Sequence, residues 1–172
     1  MEAGFVQEKK LAVFEAPLVL KGSIFMQKPD LFAWHVKKPL KYSMVIEGEI
    51  LRQWDEDTGR VQQMSLAKNA AFKMVVRQMR DWFGGAYRSM LGEYSVRVVD
   101  VEPVSLEFTP RQGGLTQQVI ESVSVVFESD ERYIREIHVV EKGGDSTVLT
   151  FTDTQLNAPI DSSAWDVKQS VR

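Results

Sequence analysis

The sequence predicts a mainly β protein of the α+β class, built as an antiparallel sheet with one apolar face. Two observations lead to this prediction. Apolar residues alternate with polar ones over most of the chain, which is the period of a half-buried strand. Short turn signals separate the alternating segments, as in sequential hairpins. One segment, residues 65–83, instead has the three- and four-residue spacing of an amphipathic helix.

The first half of the chain contains three alternating segments. The first, residues 17–27, ends at the turn Lys28-Pro29-Asp30, and Gly22 interrupts its apolar face at a position where a bend or bulge is expected. A second Lys-Pro pair, Lys38-Pro39, closes the next segment. The alternating apolar positions are Leu18, Leu20, Ile24 and Met26, then Phe32, Trp34 and Val36, then Leu40, Tyr42, Met44 and Ile46.

Residues 65–83 form the predicted helix, with Ser65 as its N-cap and Gly84-Gly85 as its end. Its apolar stripe is either ordinary core or the lining of a ligand site, and flexible methionines suit irregular apolar ligands. Its other face is either solvated or meets anionic lipid or an acidic partner. The stripe contains Ala67, Ala71, Met74, Val75, Met79, Trp82 and Phe83, and the cationic face contains Lys68, Lys73, Arg77 and Arg80.

The second half of the chain returns to strand patterns. The alternating segments are residues 94–101, 104–110, 116–129, 132–142 and 146–156. Turns are predicted at Glu128-Ser129-Asp130-Glu131 and Lys142-Gly143-Gly144-Asp145. One helix is too short to cover so long a sheet, so the sheet is expected either to curl on itself or to leave a groove.

Composition narrows the function classes. The 172 residues carry a net charge of −3, which predicts one soluble domain over residues 1–172 and no nucleic-acid partner. The absence of cysteine excludes a disulfide scaffold and a cysteine nucleophile. No stretch is long and apolar enough to predict a transmembrane helix, and the first residues do not have the pattern of a secretory signal.

Catalytic signals are weak, so the chain is predicted not to be an enzyme and to hold no metal or cofactor. His35 and His138 lie on the polar side of their strand patterns, where a solvated or locally hydrogen-bonded histidine is expected. The alternatives are a small enzyme or a protein-binding module that uses the same sheet. An enzyme would need convergent polar groups, and the charged residues that interrupt apolar strand faces are Arg52, Arg97, Glu107, Glu121 and Arg135.

Several segments together resemble the LolA-type outer-membrane lipoprotein carriers. In "GSIFMQKPDLFAWHV" a basic residue and proline, Lys28-Pro29, are followed by Phe32, a spacer and Trp34. "YSMVIEGEILRQWDED" is similar to the family's next hairpin, and "IHVVEKGGDSTVLTFTDTQLN" to its late hairpin. "FVQEKKL" resembles the opening of the first strand, and Ala164-Trp165 lies near the usual end.

The resemblance implies an incomplete antiparallel β-barrel, a half-barrel sheet whose concave apolar face is covered by helices. It implies a periplasmic carrier or chaperone of a Gram-negative bacterium, which receives lipoprotein acyl chains from an inner-membrane release complex and passes them to an outer-membrane receptor. Whether the Trp34 side of its strand lines the cavity or the neighbouring core stays open on periodicity alone. The implied cavity residues are Leu20, Ile24, Met26, Phe32, Trp34, Val36, Tyr42, Met44, Ile46, Met79 and Trp82.

Two departures from the family pattern are visible. The family carries an arginine at the position of Lys28, where it latches a helical lid by hydrogen bonds to backbone carbonyls. A lysine offers a point charge in place of a planar fork of donors, so a weaker latch is expected. The family also begins with a signal peptide and a helix before the first strand, and this sequence is expected to lack both.

Overall fold

The computed structural model describes residues 1–68, 73, 76–77, 80–83, 85, 87–114 and 116–168. Eleven strands dominate the described chain. They are β1 (Glu2–Lys10), β2 (Leu18–Gln27), β3 (Leu31–Lys38), β4 (Tyr42–Glu47), β5 (Ile50–Asp55), β6 (Val61–Ser65), β7 (Tyr94–Val101), β8 (Val104–Pro110), β9 (Ile120–Phe127), β10 (Ile134–Glu141) and β11 (Ser146–Gln155).

The strands follow the order β6-β5-β4-β3-β2-β1-β11-β10-β9-β8-β7, so β6 and β7 are the edge strands. Sequential neighbours pair antiparallel from β2 to β6 and from β7 to β11. The predicted mainly β, antiparallel architecture is therefore confirmed. Short helices join it: α1 (Tyr87–Met90), α2 (Thr116–Val119) and single 3-10 turns at Leu66–Lys68 and Ser162–Trp165. No helix in the described part of the chain has the length and apolar character needed to cross a membrane.

The chain divides into two compact units, which are described separately. Unit 1 contains Met1–Val6, Leu20–Val76 and Thr152–Arg172, and unit 2 contains Gln7–Val19 and Arg77–Phe151. The prediction of a single domain over residues 1–172 stays a prediction.

Unit 1 is built around β3, which is buried on both faces from Phe32 to Val36. Its sequence explains this, because the run "FAWHV" contains no charged residue and offers both faces to apolar neighbours. Gly22 lies opposite Val36 at a register shift between β2 and β3, as expected for an irregularity at this glycine.

Unit 2 has an aromatic core on β7, β8 and β9. The ring of Phe108 on β8 is fully buried, and its centroid lies 4.4 Å from that of Trp82, which meets it edge-on. Tyr94 and Tyr87 also pack against Phe108. The side-chain oxygen of Tyr87 donates a hydrogen bond to the carbonyl oxygen of Trp82 at 3.1 Å. Burial raises the pKa of Tyr87 to about 12.

Two predicted elements need correction. Ser65 is not a helix N-cap, because it ends β6 and pairs with Ile50, and a 3-10 turn follows it. The described residues Lys73, Val76, Arg77 and 80–83 are helical as predicted. The strand predicted over residues 116–129 starts only at Ile120, because Thr116–Val119 form a helical turn. The predicted stripe residues Ala71, Met74, Val75 and Met79 lie outside the described residues.

Candidate functional site

One face of unit 1 collects most of the residues that the sequence analysis assigned to a cavity. Ile24 pairs with Trp34 and Trp34 with Met44, which places these three in one row across β2, β3 and β4. Strand periodicity places the neighbouring rows on the same face. We call this surface the Trp34 face; its residues are Ile24, Met26, Phe32, Trp34, Val36, Tyr42, Met44 and Ile46.

The centre of the Trp34 face is buried and its margins are partly accessible. Ile24, Phe32 and Ile46 are almost completely buried. Trp34 is 9% exposed, and its ring centroid lies 4.1 Å from that of Phe5 on β1. The residues that remain half-buried are Met26, Tyr42 and Met44, together with Leu20 farther along β2.

The remaining predicted site residues lie elsewhere. Lys28 is exposed in the turn between β2 and β3, and its ammonium has no hydrogen-bond or ion-pair partner in the part of the chain that the structure describes. Trp82 is buried in unit 2, where its described ring partners Tyr87, Tyr94 and Phe108 were not predicted. Met79 lies outside the described residues.

The opposite side of the same strands carries a polar node that the sequence analysis missed. His35 is 0% exposed, so the solvated histidine that was one of the two expectations is wrong. The contact with Ser43 on the adjacent strand fits the locally hydrogen-bonded alternative, whereas the contact with Ala164 is not local. Its Nε2 lies 2.8 Å from the Ala164 carbonyl oxygen and its Nδ1 lies 2.9 Å from Ser43 Oγ. A neutral ring fits this geometry, with Nε2–H donating to the carbonyl and Nδ1 accepting from the hydroxyl.

The node lies within an apolar cluster that joins the strands to the C-terminal segment, which we define as residues 160–167. We call this surface the His35 face. The signal that could have revealed it is the run "FAWHV", which has no strongly polar side. The apolar members of the cluster are Phe25, Ala33, Val45, Trp54, Ala164 and Val167, with Ile160 and Trp165 packed against them.

The charged residues that would favour an enzyme form cross-strand ion pairs. Arg97 pairs with Glu107 at 2.9 Å, and Arg52 pairs with Glu47 at 3.0 Å. Glu121 and Arg135 are exposed. Among the described residues no group of three or more His, Asp or Glu side chains could hold a metal ion.

Unit 2 has a cavity of about 200 Å³. Arg77 and Glu93, which form an ion pair, line it together with Asp81. It is smaller than the ~300–1,000 Å³ of typical small-molecule sites and its lining is charged, so it does not suit an acyl chain. Its other lining residues are Ser89, Met90 and Tyr94.

Comparison with known proteins gives two similar sequences. One is an outer-membrane lipoprotein carrier protein of Pseudoalteromonas translucida, 23% identical over 150 residues, which are 85% of this chain and 65% of that protein. The other is an outer-membrane lipoprotein carrier protein of Coxiella burnetii, 17% identical over 150 residues, which are 87% of this chain and 67% of that protein. The chain thus matches only about two thirds of the length of these relatives.

Two solved structures align with most of this chain. A chain from the complex of the CwlD amidase with the GerS lipoprotein of Clostridioides difficile aligns with a TM-score of 0.50 at 13% identity, covering 91% of this chain and 86% of that one. A LolA superfamily protein of Nitrosomonas europaea aligns with a TM-score of 0.46 at 10% identity, covering 94% of this chain and 88% of that one. The family model described as outer membrane lipoprotein carrier protein LolA matches residues 1–168. The chain therefore belongs to the LolA family.

Proposed function

We propose that this chain is a periplasmic carrier that binds the acyl chains of lipoproteins on the Trp34 face and transfers them without chemical change. The observation that carries the proposal is the Trp34 face itself, an apolar surface that has no charged side chain on β2, β3 and β4 in its rows from Gly22 to Met26. Membership of the LolA family supports the choice of an acyl chain as the ligand.

The burial pattern supports a binding order. Leu20, Met26, Tyr42 and Met44 are half-buried, so an entering acyl chain contacts them first. Trp34 and the almost completely buried Ile24 and Phe32 can contact an acyl chain only after the side chains that bury them move aside. Each acyl methylene that leaves water contributes about 0.8 kcal/mol, so a chain of ordinary length can offset the displaced packing.

We further propose a latch for a helical lid like that of the family, and two partners for transfer. Lys28 acts as a weak latch, because one ammonium group replaces a fork of donors and its side chain is exposed. That Met79 and Trp82 contact the ligand stays a prediction. Cargo comes from an inner-membrane release complex and passes to an outer-membrane receptor.

Native mass spectrometry with a synthetic triacylated lipopeptide tests binding and chemistry together. We expect a one-to-one complex from which the lipopeptide is recovered with unchanged mass. A shortened or modified lipopeptide would favour an enzyme, and the absence of any complex would contradict the carrier function.

Variants test the position of the site. Met44→Gln adds a polar amide to the half-buried part of the Trp34 face and is expected to weaken binding of a fluorescent fatty acid roughly fivefold to tenfold. Leu40→Gln is the matched control, because Leu40 is exposed in the turn before β4. Equal affinities for the two variants, with folding verified by urea unfolding, would contradict the proposed site.

A further inference from the structure

The strongest remaining feature is the contact between His35 and the C-terminal segment. The hydrogen bond from His35 Nε2 to the Ala164 carbonyl joins residues 129 positions apart in the chain. The ring is completely buried, and so is the hydroxyl-bearing Ser43 that contacts its other nitrogen. A titratable side chain therefore lies at the point where the C-terminal segment meets the sheet.

β3 and the C-terminal segment, which this hydrogen bond joins, differ in how firmly they are held. β3 is paired with a strand on each side through its whole buried stretch. The C-terminal segment is held internally by two bonds of its 3-10 turn, from Ala164 N to Asp161 O and from Asp166 N to Ser163 O. Its apolar contacts with the cluster come from Ala164 and Val167, which are buried, and from Ile160 and Trp165, which are partly buried. If this contact opens, the C-terminal segment moves and β3 does not.

We propose that residues 160–167 form a clasp over the His35 face, which His35 holds closed while its ring is neutral and releases when its ring is protonated. The clasp is independent of the proposed carrier function, because it concerns the opposite side of β3. It is a conformational device that responds to acid.

The physical reason is the cost of a buried charge. A protonated ring still finds both partners, since Nδ1–H can donate to Ser43 Oγ, but a charged imidazolium without water around it is unfavourable. Opening of the clasp restores water to the ring. Burial is accordingly the largest influence on the pKa of His35 and lowers it.

The neighbouring groups modify this balance without reversing it. The hydrogen bond to Ala164 raises the pKa of His35, the Lys37 ammonium on β3 lowers it, and the Asp166 carboxylate raises it. In the row of His35, the side chains of β2, β4 and β5 are Ser23, Ser43 and Trp54, which carry no charge. The next row contains Phe25, Val45 and the Arg52 guanidinium, which forms an ion pair with Glu47 on the same face.

The direction of the pH effect follows from linkage. The closed state has the lower histidine pKa, so the open state binds more protons. The neutral ring supports closure fully above about pH 6.5, the value of an exposed histidine, and this support is lost as the pH falls below it. The opening equilibrium then rises by up to about tenfold per pH unit. Hydrogen bonds from Ser163 lower the pKa of Asp161, so this carboxylate stays ionised throughout.

Amide hydrogen exchange between pH 7.5 and 5 tests the clasp. We expect the protection factors of the Ala164 and Asp166 amides to fall by up to about tenfold per unit below pH 6.5, while those of β3 stay constant. In His35→Gln, which keeps a neutral donor at this position, the protection is expected to be independent of pH. Because the chain has two histidines, His138→Gln is the matched control and should retain the full response.

Two outcomes would overturn the proposal: constant protection in the unaltered protein, or a full pH response in His35→Gln. If His35→Gln does not fold, an NMR titration of the unaltered protein tests the clasp. Its His35 ring resonances and its Ala164 amide must then titrate with one midpoint in NMR, and separate midpoints would overturn the clasp.

Discussion

Gly22 allows two parts of unit 1 to approach more closely than a side chain would permit. A Cβ atom built at this position would lie 1.9 Å from the backbone oxygen of His35 and 2.8 Å from Cζ of Phe5. The Phe5 ring in turn packs against Trp34 at the centre of the Trp34 face. The absence of one methyl group thus decides how β1, β2 and β3 meet.

The first prediction concerns Gly22→Ala. We expect it to lower the free energy of unfolding by at least about 2 kcal/mol, because the backbone oxygen of His35 cannot move aside as a flexible side chain can. Gly143→Ala is the matched control, since nothing lies within 4 Å of a Cβ there, and its effect should stay within about 0.5 kcal/mol. Urea unfolding measures both, and equal effects would contradict the close approach.

Among the elements, β8 carries the ring at the centre of the aromatic cluster of unit 2. Phe108 is completely buried and contacts the rings of Trp82, Tyr87 and Tyr94, which come from the preceding helical residues and from β7. Edge-to-face contacts of this kind add to the free energy gained by burial. Phe108 thereby packs between the helical residues and the edge strand β7.

The second prediction follows from this cluster. Phe108→Ala is expected to lower the free energy of unfolding by about 3–5 kcal/mol, because a large cavity remains among rings that cannot close it. Phe14→Ala is the same substitution at a residue of unit 2 that is 63% exposed, and it should change stability by less than about 0.5 kcal/mol. A loss below about 1 kcal/mol for Phe108→Ala in chemical denaturation would show that the cluster is not a core.

At the scale of the whole molecule, the charge distribution argues against electrostatic attachment to anionic lipid. The net charge is −3. The cationic side chains of residues 65–83 that were considered for such attachment are partly neutralised, since Lys73 pairs with Glu49 and Arg77 pairs with Glu93. Each unpaired cation near an anionic membrane surface would contribute about 1 kcal/mol, and pairing removes much of this.

The third prediction is that the protein does not prefer anionic membranes. Its partition to vesicles that contain an anionic lipid should exceed its partition to zwitterionic vesicles by less than about twofold at physiological salt. Co-sedimentation measures the ratio. Glu49→Gln with Glu93→Gln frees both cations and should raise it. Strong binding of the unaltered protein that weakens with added salt would contradict the prediction.

Most of the strands and several of their turns could be predicted from the sequence, but no strand was expected at β6. The strand predicted at residues 94–101 is β7 and the one predicted at 104–110 is β8, because alternation of apolar and polar residues is a local property of the chain. The two-residue period also predicts which residues within each strand share the Trp34 face. The strand prediction was wrong at residues 116–119, because the strand pattern that begins at Ile120 was extended back into residues that form a helical turn.

Only the tertiary structure decided which surfaces meet. His35 was expected to be solvated or locally bonded, and it is buried because Ala164, 129 residues away, supplies both an acceptor and a cover. Trp82 has partners on α1, β7 and β8 that its own helical spacing cannot name. Periodicity states which side of an element is apolar, but the partner of that side is chosen by contacts between distant segments, and these exist only in the folded chain.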